Sequence, residues 1–204
     1  MRARKQKTDV RREQLTTAAM DSIGREGVQA LSIAGVSGQA GLGASSVYRH
    51  FESKDALLDA VLEKLHRRLL GNVAEVREAT PRALDRLQAL MERHARLLAG
   101  DQAVPAIVFA DGLTAGNPAR RDKLRQIIGD YLGEIRHIVQ EGQADGTLQV
   151  DPEPQTVAVL FLGVLLPAAL LGQLTGGEFQ ILDHYRNAWP LFRKAIAAGQ
   201  DIDS

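Results

Sequence analysis

The 204-residue sequence predicts an all-α protein of about nine helices. Aromatic residues make up only 4% of the chain, whereas Leu and Ala, which favour helices over strands, recur along its whole length. Apolar residues return every three or four positions, the period of a helix face. Capping side chains, Pro and Gly punctuate the chain where such helices start and stop. With 45% hydrophobic and 25% charged residues, the composition is that of a globular protein large enough to bury a core. There is no cysteine, which excludes disulfides, thiol catalysis and thiolate zinc sites. The polar stretch Thr8 to Gln14 follows the basic start, so no secretory signal and a cytoplasmic location are expected.

The elements follow in order. From Asp9 to Gly24, Leu15, Ala18, Ala19, Ser22 and Ile23 form one stripe, with Gly24 and Gly27 as stop signals. Ser32 is placed to cap a short segment carrying Ile33, Val36 and Ala40, which ends at Gly41; a second short segment, Ala44 to His50, follows. Ser53 caps a longer helix with Asp55 in its first turn and Leu57, Leu58, Val61, Leu62, Leu65 and Leu69 on its apolar face. Downstream, Thr80-Pro81, Asn117-Pro118 and Asp151-Pro152 each pair a capping side chain with a proline at the first helical position, where no N–H is needed. The helix from about 118 to 143 carries Leu124, Ile127, Ile128, Tyr131, Leu132, Ile135, Ile138 and Val139 on one face. Gly100-Asp101 and Gly176-Gly177 separate further helices, the last two expected over 152–175 and 179–198.

Residues 156–177 hold no charge and are long enough to span a bilayer. Their flanks, Asp151, Glu153, Glu178 and Asp183, are acidic and lack the Lys or Arg that anchors a spanning helix. A buried helix, kinked at Pro167 and covered on its second face by another subunit, is the expectation.

The net charge of zero hides an asymmetry: residues 1–70 carry +4 and residues 71–204 carry −4. Most of the excess lies in Arg2, Arg4, Lys5, Lys7, Arg11 and Arg12, opposed only by Asp9, a modest signal for nucleic acid. The stretch Ser32 to Lys54, SIAGVSGQAGLGASSVYRHFESK, has helix-turn-helix spacing. Gly41 allows the positive φ of the turn, and Val36, Ala40, Leu42 and Val47 fill the small core between the two helices. The bare pattern also fits an αα corner with no nucleic-acid role.

The order Tyr48-Arg49-His50-Phe51, then Glu52-Ser53-Lys54-Asp55-Ala56-Leu57-Leu58, resembles the DNA-binding domain of the TetR family of transcriptional repressors, in detail over residues 9–62. The resemblance implies a basic arm (1–8), a helix-turn-helix domain with its connecting helix (9–70), and a domain (71–204) that binds a small molecule and dimerises. It implies DNA contacts from Ser32, Gly43, Ala44, Ser45, Ser46, Tyr48, Arg49, His50 and Lys54, with Arg4 and Lys5 of the arm reaching a minor groove. Lys54 opposes the dipole of the helix it opens, so a phosphate shared with that helix end is its expected partner.

The chain departs from the family pattern. Gly43 stands where serine commonly caps the recognition helix, Ser37 replaces alanine, and Gly35 and Gly38 cost about 1 kcal/mol each inside a helix. Ala44, Ser45 and Ser46 cannot make bidentate base contacts, which leaves Arg49, thymine-methyl contacts and DNA shape to share specificity.

Met91, His94, Phe109, Asp111, Tyr131 and Phe161 are candidates to line the effector site, each also readable as ordinary packing. Val164, Leu165, Ala168, Gly172, Trp189 and Phe192 are candidates for the dimer interface. His66, His94, His137 and His184 show no ligand spacing, so no metal and no cofactor are expected. No Gly-x-Ser-x-Gly, phosphate loop or paired His-Glu helix motif occurs, which argues against an enzyme. The abundant Leu, Val and Ala point to an apolar effector. A membrane-associated or scaffolding helical protein, and an activator of the same family, are the competing readings.

Overall fold

A computed structural model of the chain describes the backbone of residues 2–110 and 117–199, and within these stretches the side chains from residue 8 onward. The described residues form nine helices: α1 (Arg2–Glu26), α2 (Ile33–Gln39), α3 (Ala44–Tyr48), α4 (Lys54–Ala79), α5 (Ala83–Gly100), α6 (Ala103–Val108), α7 (Pro118–Ala144), α8 (Pro154–Leu174) and α9 (Ile181–Ile196). Helix α1 starts at Arg2 instead of Asp9, so the backbone of the basic arm continues the first helix.

The capping devices work where a side chain can reach an orphan N–H. Ser32 Oγ accepts from the Gly35 N–H, Ser53 Oγ from Ala56 and Asn117 Oδ1 from Arg120. Two expected starts shift. Helix α5 opens at Ala83, where Arg82 supplies the first carbonyl, and the Thr80 carbonyl instead accepts from Arg86 Nε. Helix α8 opens at Pro154, and the cap is Glu153, whose carboxylate accepts from the Thr156 N–H at 2.6 Å. A glutamate followed by proline does the work assigned to Asp151-Pro152 because the proline again occupies the first helical position. Helix α8 runs through Pro167 and α9 through Pro190 without ending.

The chain divides into two compact units, Met1–Arg67 with Asp101–Leu124, and Arg68–Gly100 with Arg125–Ser204. The expected boundary near residue 70 therefore marks only the first of the crossings, and α4 and α7 each begin in the first unit and end in the second. In the first unit, Leu15, Ala19 and Ile23 of α1, Val36, Val47, Phe51 and the α4 residues Leu57, Leu58, Val61 and Leu62 are buried together with Ala103, Val104 and Ile107 of α6. Gly24 explains why α6 belongs here: a Cβ at that position would lie 3.0 Å from the Ala103 nitrogen, so α1 and α6 approach where there is no side chain.

In the second unit, Leu87, Leu90, Met91, Ala95 and Leu98 of α5 are buried with Ile127, Ile135 and Ile138 of α7, Val157, Ala158, Phe161 and Leu165 of α8, and Trp189 and Phe192 of α9. Phe192 stands edge-on to Phe161, with ring centroids 6.2 Å apart. Arg77 and Arg86 both reach Glu141, each at 2.7 Å, tying α4 and α5 to α7 at the surface.

Gly142 leaves no room for a side chain, since a Cβ there would stand 2.6 Å from Leu148 and 2.8 Å from the Ala83 Cβ. Gly142→Ala is expected to destabilise the protein by about 1–3 kcal/mol through overpacking. Gly129→Ala, on the same helix with open space around it, is expected to stabilise by up to about 1 kcal/mol. Urea denaturation midpoints of the two variants check both signs.

Candidate functional site

Helices α2 and α3 have seven and five residues, too short to stand alone, and are held by their surroundings. Val36 and Val47 are fully buried between them, Ser37 is buried with its Oγ donating to the Ala34 carbonyl, and Gly41 turns the chain at φ 65°. Helix α2 is tied to α1 by Arg25, which donates to Gln39 Oε1 at 2.7 Å.

The end of α3 is fixed by a residue that composition had placed only among the basic excess. Arg12 of α1 donates from Nη1 to the His50 carbonyl at 2.9 Å, and its guanidinium lies 4.4 Å from the centroid of the buried Phe51 ring. One cation thus satisfies a carbonyl past the end of α3 and packs on the aromatic residue that follows it. The signal for this role was the Arg12–Phe51 pairing across 39 residues, which no local pattern reveals.

This scaffold leaves Ala44, Ser45, Tyr48 and Arg49 exposed along α3 and its C-terminus, Tyr48 at 55%. The Tyr48 side chain is therefore accessible from solvent. Gly43 caps α3 with extended backbone and no side-chain bond; Ser32 is exposed while capping α2; Ser46 and His50 are half-buried. Lys54 has a structural partner that sequence did not suggest, because its Nζ donates to the Gln29 carbonyl at 3.0 Å. The side chains of Arg4 and Lys5 lie outside the described residues, as does Asp111.

Helix α4 is gripped near its start from α7. Arg120, 6% exposed, donates to Asp55 Oδ1 at 2.7 Å and approaches Asp59 Oδ1 at 3.4 Å, and one turn on Lys123 meets Glu63 at 2.9 Å. Sequence reasoning read Asp55 only as a dipole partner; the distant arginine could not be paired with it from spacing alone.

Of the effector candidates, Met91, His94, Tyr131 and Phe161 are all buried in the second unit, whereas Phe109 belongs to the first unit and is exposed. His94 and Tyr131 are 5% and 2% exposed and their rings stack with centroids 5.4 Å apart. Both His94 ring nitrogens and the Tyr131 hydroxyl are buried with no hydrogen-bond partner, at a cost of about 1–3 kcal/mol for each such group. Burial holds the His94 pKa down at about 4 and pushes the Tyr131 hydroxyl up, so both are neutral. A separate half-open groove of about 500 Å³ runs past Gln88, Trp189 and Arg193 and includes none of the effector candidates.

Of the interface candidates, Leu165, Ala168, Trp189 and Phe192 are buried within the chain itself, and Val164 and Gly172 are half-buried. The large apolar side chains of these helices that reach solvent are instead Val159, Leu160, Leu170, Leu171 and Leu174 of α8 and Leu191 of α9. An uncharged helix offers no polar face from which its orientation can be read, so the inner and outer stripes look alike in sequence. Among the described residues no group of three or more His, Asp or Glu side chains could hold a metal ion.

Residues 15–61 match the family described as "Bacterial regulatory proteins, tetR family", and residues 80–168 match "Tetracyclin repressor-like, C-terminal domain". The chain belongs to the TetR family. Among its relatives, the fatty acid metabolism regulator protein of Bacillus subtilis (strain 168) is 24% identical over 152 residues, covering 74% of this chain and 78% of that protein. The nucleoid occlusion factor SlmA of Vibrio vulnificus (strain YJ016) is 21% identical over 196 residues, covering 91% and 95%. The crystal structure of FadR from Bacillus subtilis in complex with stearoyl-CoA shares the fold with a TM-score of 0.74 at 20% identity, covering 88% of this chain and 96% of that one.

The neutral His94 makes one measurable prediction for this TetR-family chain. An unfolded histidine binds a proton near pH 6.5 but the folded site resists it until about 4, so the stability held above pH 6.5 is lost as pH falls toward 4. The loss attributable to His94 is about 3 kcal/mol. Urea midpoints of the wild type and His94→Phe, measured from neutral pH down to about 4.5, are expected to diverge as pH falls, because only the wild type carries the histidine whose protonation opposes folding.

Proposed function

We propose that this TetR-family transcriptional regulator is a cytoplasmic homodimeric repressor that binds a palindromic operator and is released by a small, largely apolar effector. The observation that carries the reading is α3, a helix too short to fold alone that is nevertheless pinned at its end by Arg12 and leaves Ala44, Ser45, Tyr48 and Arg49 exposed. Small residues at its start allow close approach to a major groove, Arg49 supplies the side chain there able to grip a guanine edge with two hydrogen bonds, and Tyr48 and Lys54 serve phosphates. Ser32, at the start of α2, and the basic arm add further backbone contacts.

Dimerisation is supported by the exposed apolar stripe of α8, continued by Leu191 of α9. Helix α8 is also the one helix among the described residues long and apolar enough to cross a membrane; a second copy covering the stripe accounts for its exposed leucines, and its acidic flanks disfavour insertion. A twofold pair presents two recognition helices to one duplex, which is why the operator is palindromic. Effector release is supported by α7, which carries Arg120, the partner of Asp55 at the start of α4, and Tyr131 three turns further on. The B. subtilis relative is described as a fatty acid metabolism regulator and its FadR was solved with stearoyl-CoA, which fits an apolar effector here.

Selection of bound duplexes from a randomised library at fixed, near-physiological salt tests the reading. A palindromic consensus is expected; binding without consensus that vanishes as salt rises would overturn it. Leu171→Glu, which places a charge in the stripe, is expected to shift the protein in sedimentation equilibrium from twice the 22.2 kDa chain mass to once.

A further inference from the structure

Among the described residues of the second unit His94 is the one polar or charged residue that is buried, and the Tyr131 hydroxyl beside it is buried as well. In the same unit the buried residues Leu87, Met91, Ile135 and Phe161 are apolar, and among the described residues no Lys, Arg, Asp or Glu of this unit is buried as a whole, the half-buried Arg136 of α7 burying only its Nε. The two rings come from different helices, α5 and α7, and stack at 5.4 Å with an angle of 20° between their planes. Stacking of this kind would be served as well by two phenylalanines, which would bury no polar atom. Three polar atoms nevertheless sit here, His94 Nδ1, His94 Nε2 and Tyr131 Oη, none with a hydrogen-bond partner. A core of this composition is expected to hold such atoms only where something else completes their bonding.

We infer that His94 and Tyr131 form the polar anchor of the effector site, and that the effector is an uncharged, mainly apolar molecule carrying a carbonyl or hydroxyl oxygen. This inference rests on the effector-responsive reading proposed above and names the chemistry of that site. A neutral imidazole offers one donor and one acceptor, and a neutral phenol offers both, so the pair can donate twice to a carbonyl oxygen or exchange bonds with a hydroxyl. At His94 and Tyr131 themselves a carboxylate or ammonium would find only neutral dipoles, and no wholly buried charged residue of this unit stands among the described residues to receive it. His94 stays neutral as pH falls to about 4, which keeps this selection for uncharged oxygen in force across the cytoplasmic range. The pair is closed to solvent, so an effector must displace what covers it, and Tyr131 lies on the same helix that carries Arg120.

The test uses the full-length protein with 2-decanone, 1-decanol and decanoate as probes, read by thermal shift and by titration. The ketone and the alcohol are expected to raise the melting temperature at concentrations where decanoate does not. Tyr131→Phe, which removes only the oxygen, is expected to raise the melting temperature of the unliganded protein and to weaken 2-decanone by about tenfold; His94→Phe should weaken it likewise. Unchanged ketone affinity in Tyr131→Phe, tighter binding of decanoate than of the ketone, or no response of the wild type to either uncharged probe would overturn the inference. A lower melting temperature for unliganded Tyr131→Phe would also overturn it, by showing the hydroxyl to be satisfied within the core. Duplex selection needs no probe, so a palindromic consensus with these outcomes would leave the regulator standing without this site, and ketone binding without a consensus would do the reverse.

Discussion

Two helices of seven and five residues must hold a binding surface in register, and neither has the length to do so unaided. Everything in the first unit answers that constraint. Val36 and Val47 supply a small apolar contact between the helices, Phe51 and Ile33 extend it into the core, and Arg12 closes the end of α3 with a hydrogen bond and a stacked cation. Tolerance of Gly35 and Gly38 inside α2 follows from the same arrangement. Their propensity cost is met by burial and by the Ser32 cap, and neither by itself decides whether α2 forms.

Charge does different work in the two units. Near the start of α4 a buried arginine is shared between Asp55 and Asp59, both of which remain partly exposed, so the cation is desolvated while its partners keep some water. Pairs of that kind contribute more to where helices sit than to net stability, because the cost of desolvation offsets much of the attraction. In the second unit the ionic links of Arg77 and Arg86 to Glu141 reach the surface, and among the described residues His94 and Tyr131 are the buried ones that bring unpartnered polar atoms inside, the half-buried Arg136 adding its Nε. The first unit uses a buried cation for alignment, and the second keeps charge out of its core.

That contrast bears on how this TetR-family chain sets stability against function. An apolar interior could have been sealed with two more hydrocarbon rings, and a stacked His–Tyr pair with unpartnered polar atoms is the costlier choice. Likewise, an α8 with a polar outer face would be more soluble as a single chain than one presenting Leu160, Leu171 and Leu174 to water. Both features depart from what folding alone selects, and departures of this kind gather where a molecule meets a partner.

Composition and periodicity alone determined the all-α class, the order of the helices and the two short helices about Gly41, because these depend on residues within a few positions of one another: Ser32 with Gly35, Gly41 in its turn, Asn117 with Arg120. The run Tyr48 to Leu58 was equally legible as family resemblance. Tertiary structure decided whatever depends on partners distant in sequence. Arg12 finds Phe51, Lys54 finds Gln29, Arg120 finds Asp55, and α6 settles against Gly24 instead of joining the second unit. It also decided which stripe of the uncharged α8 faces inward, since a helix apolar on every side carries no period from which burial can be read.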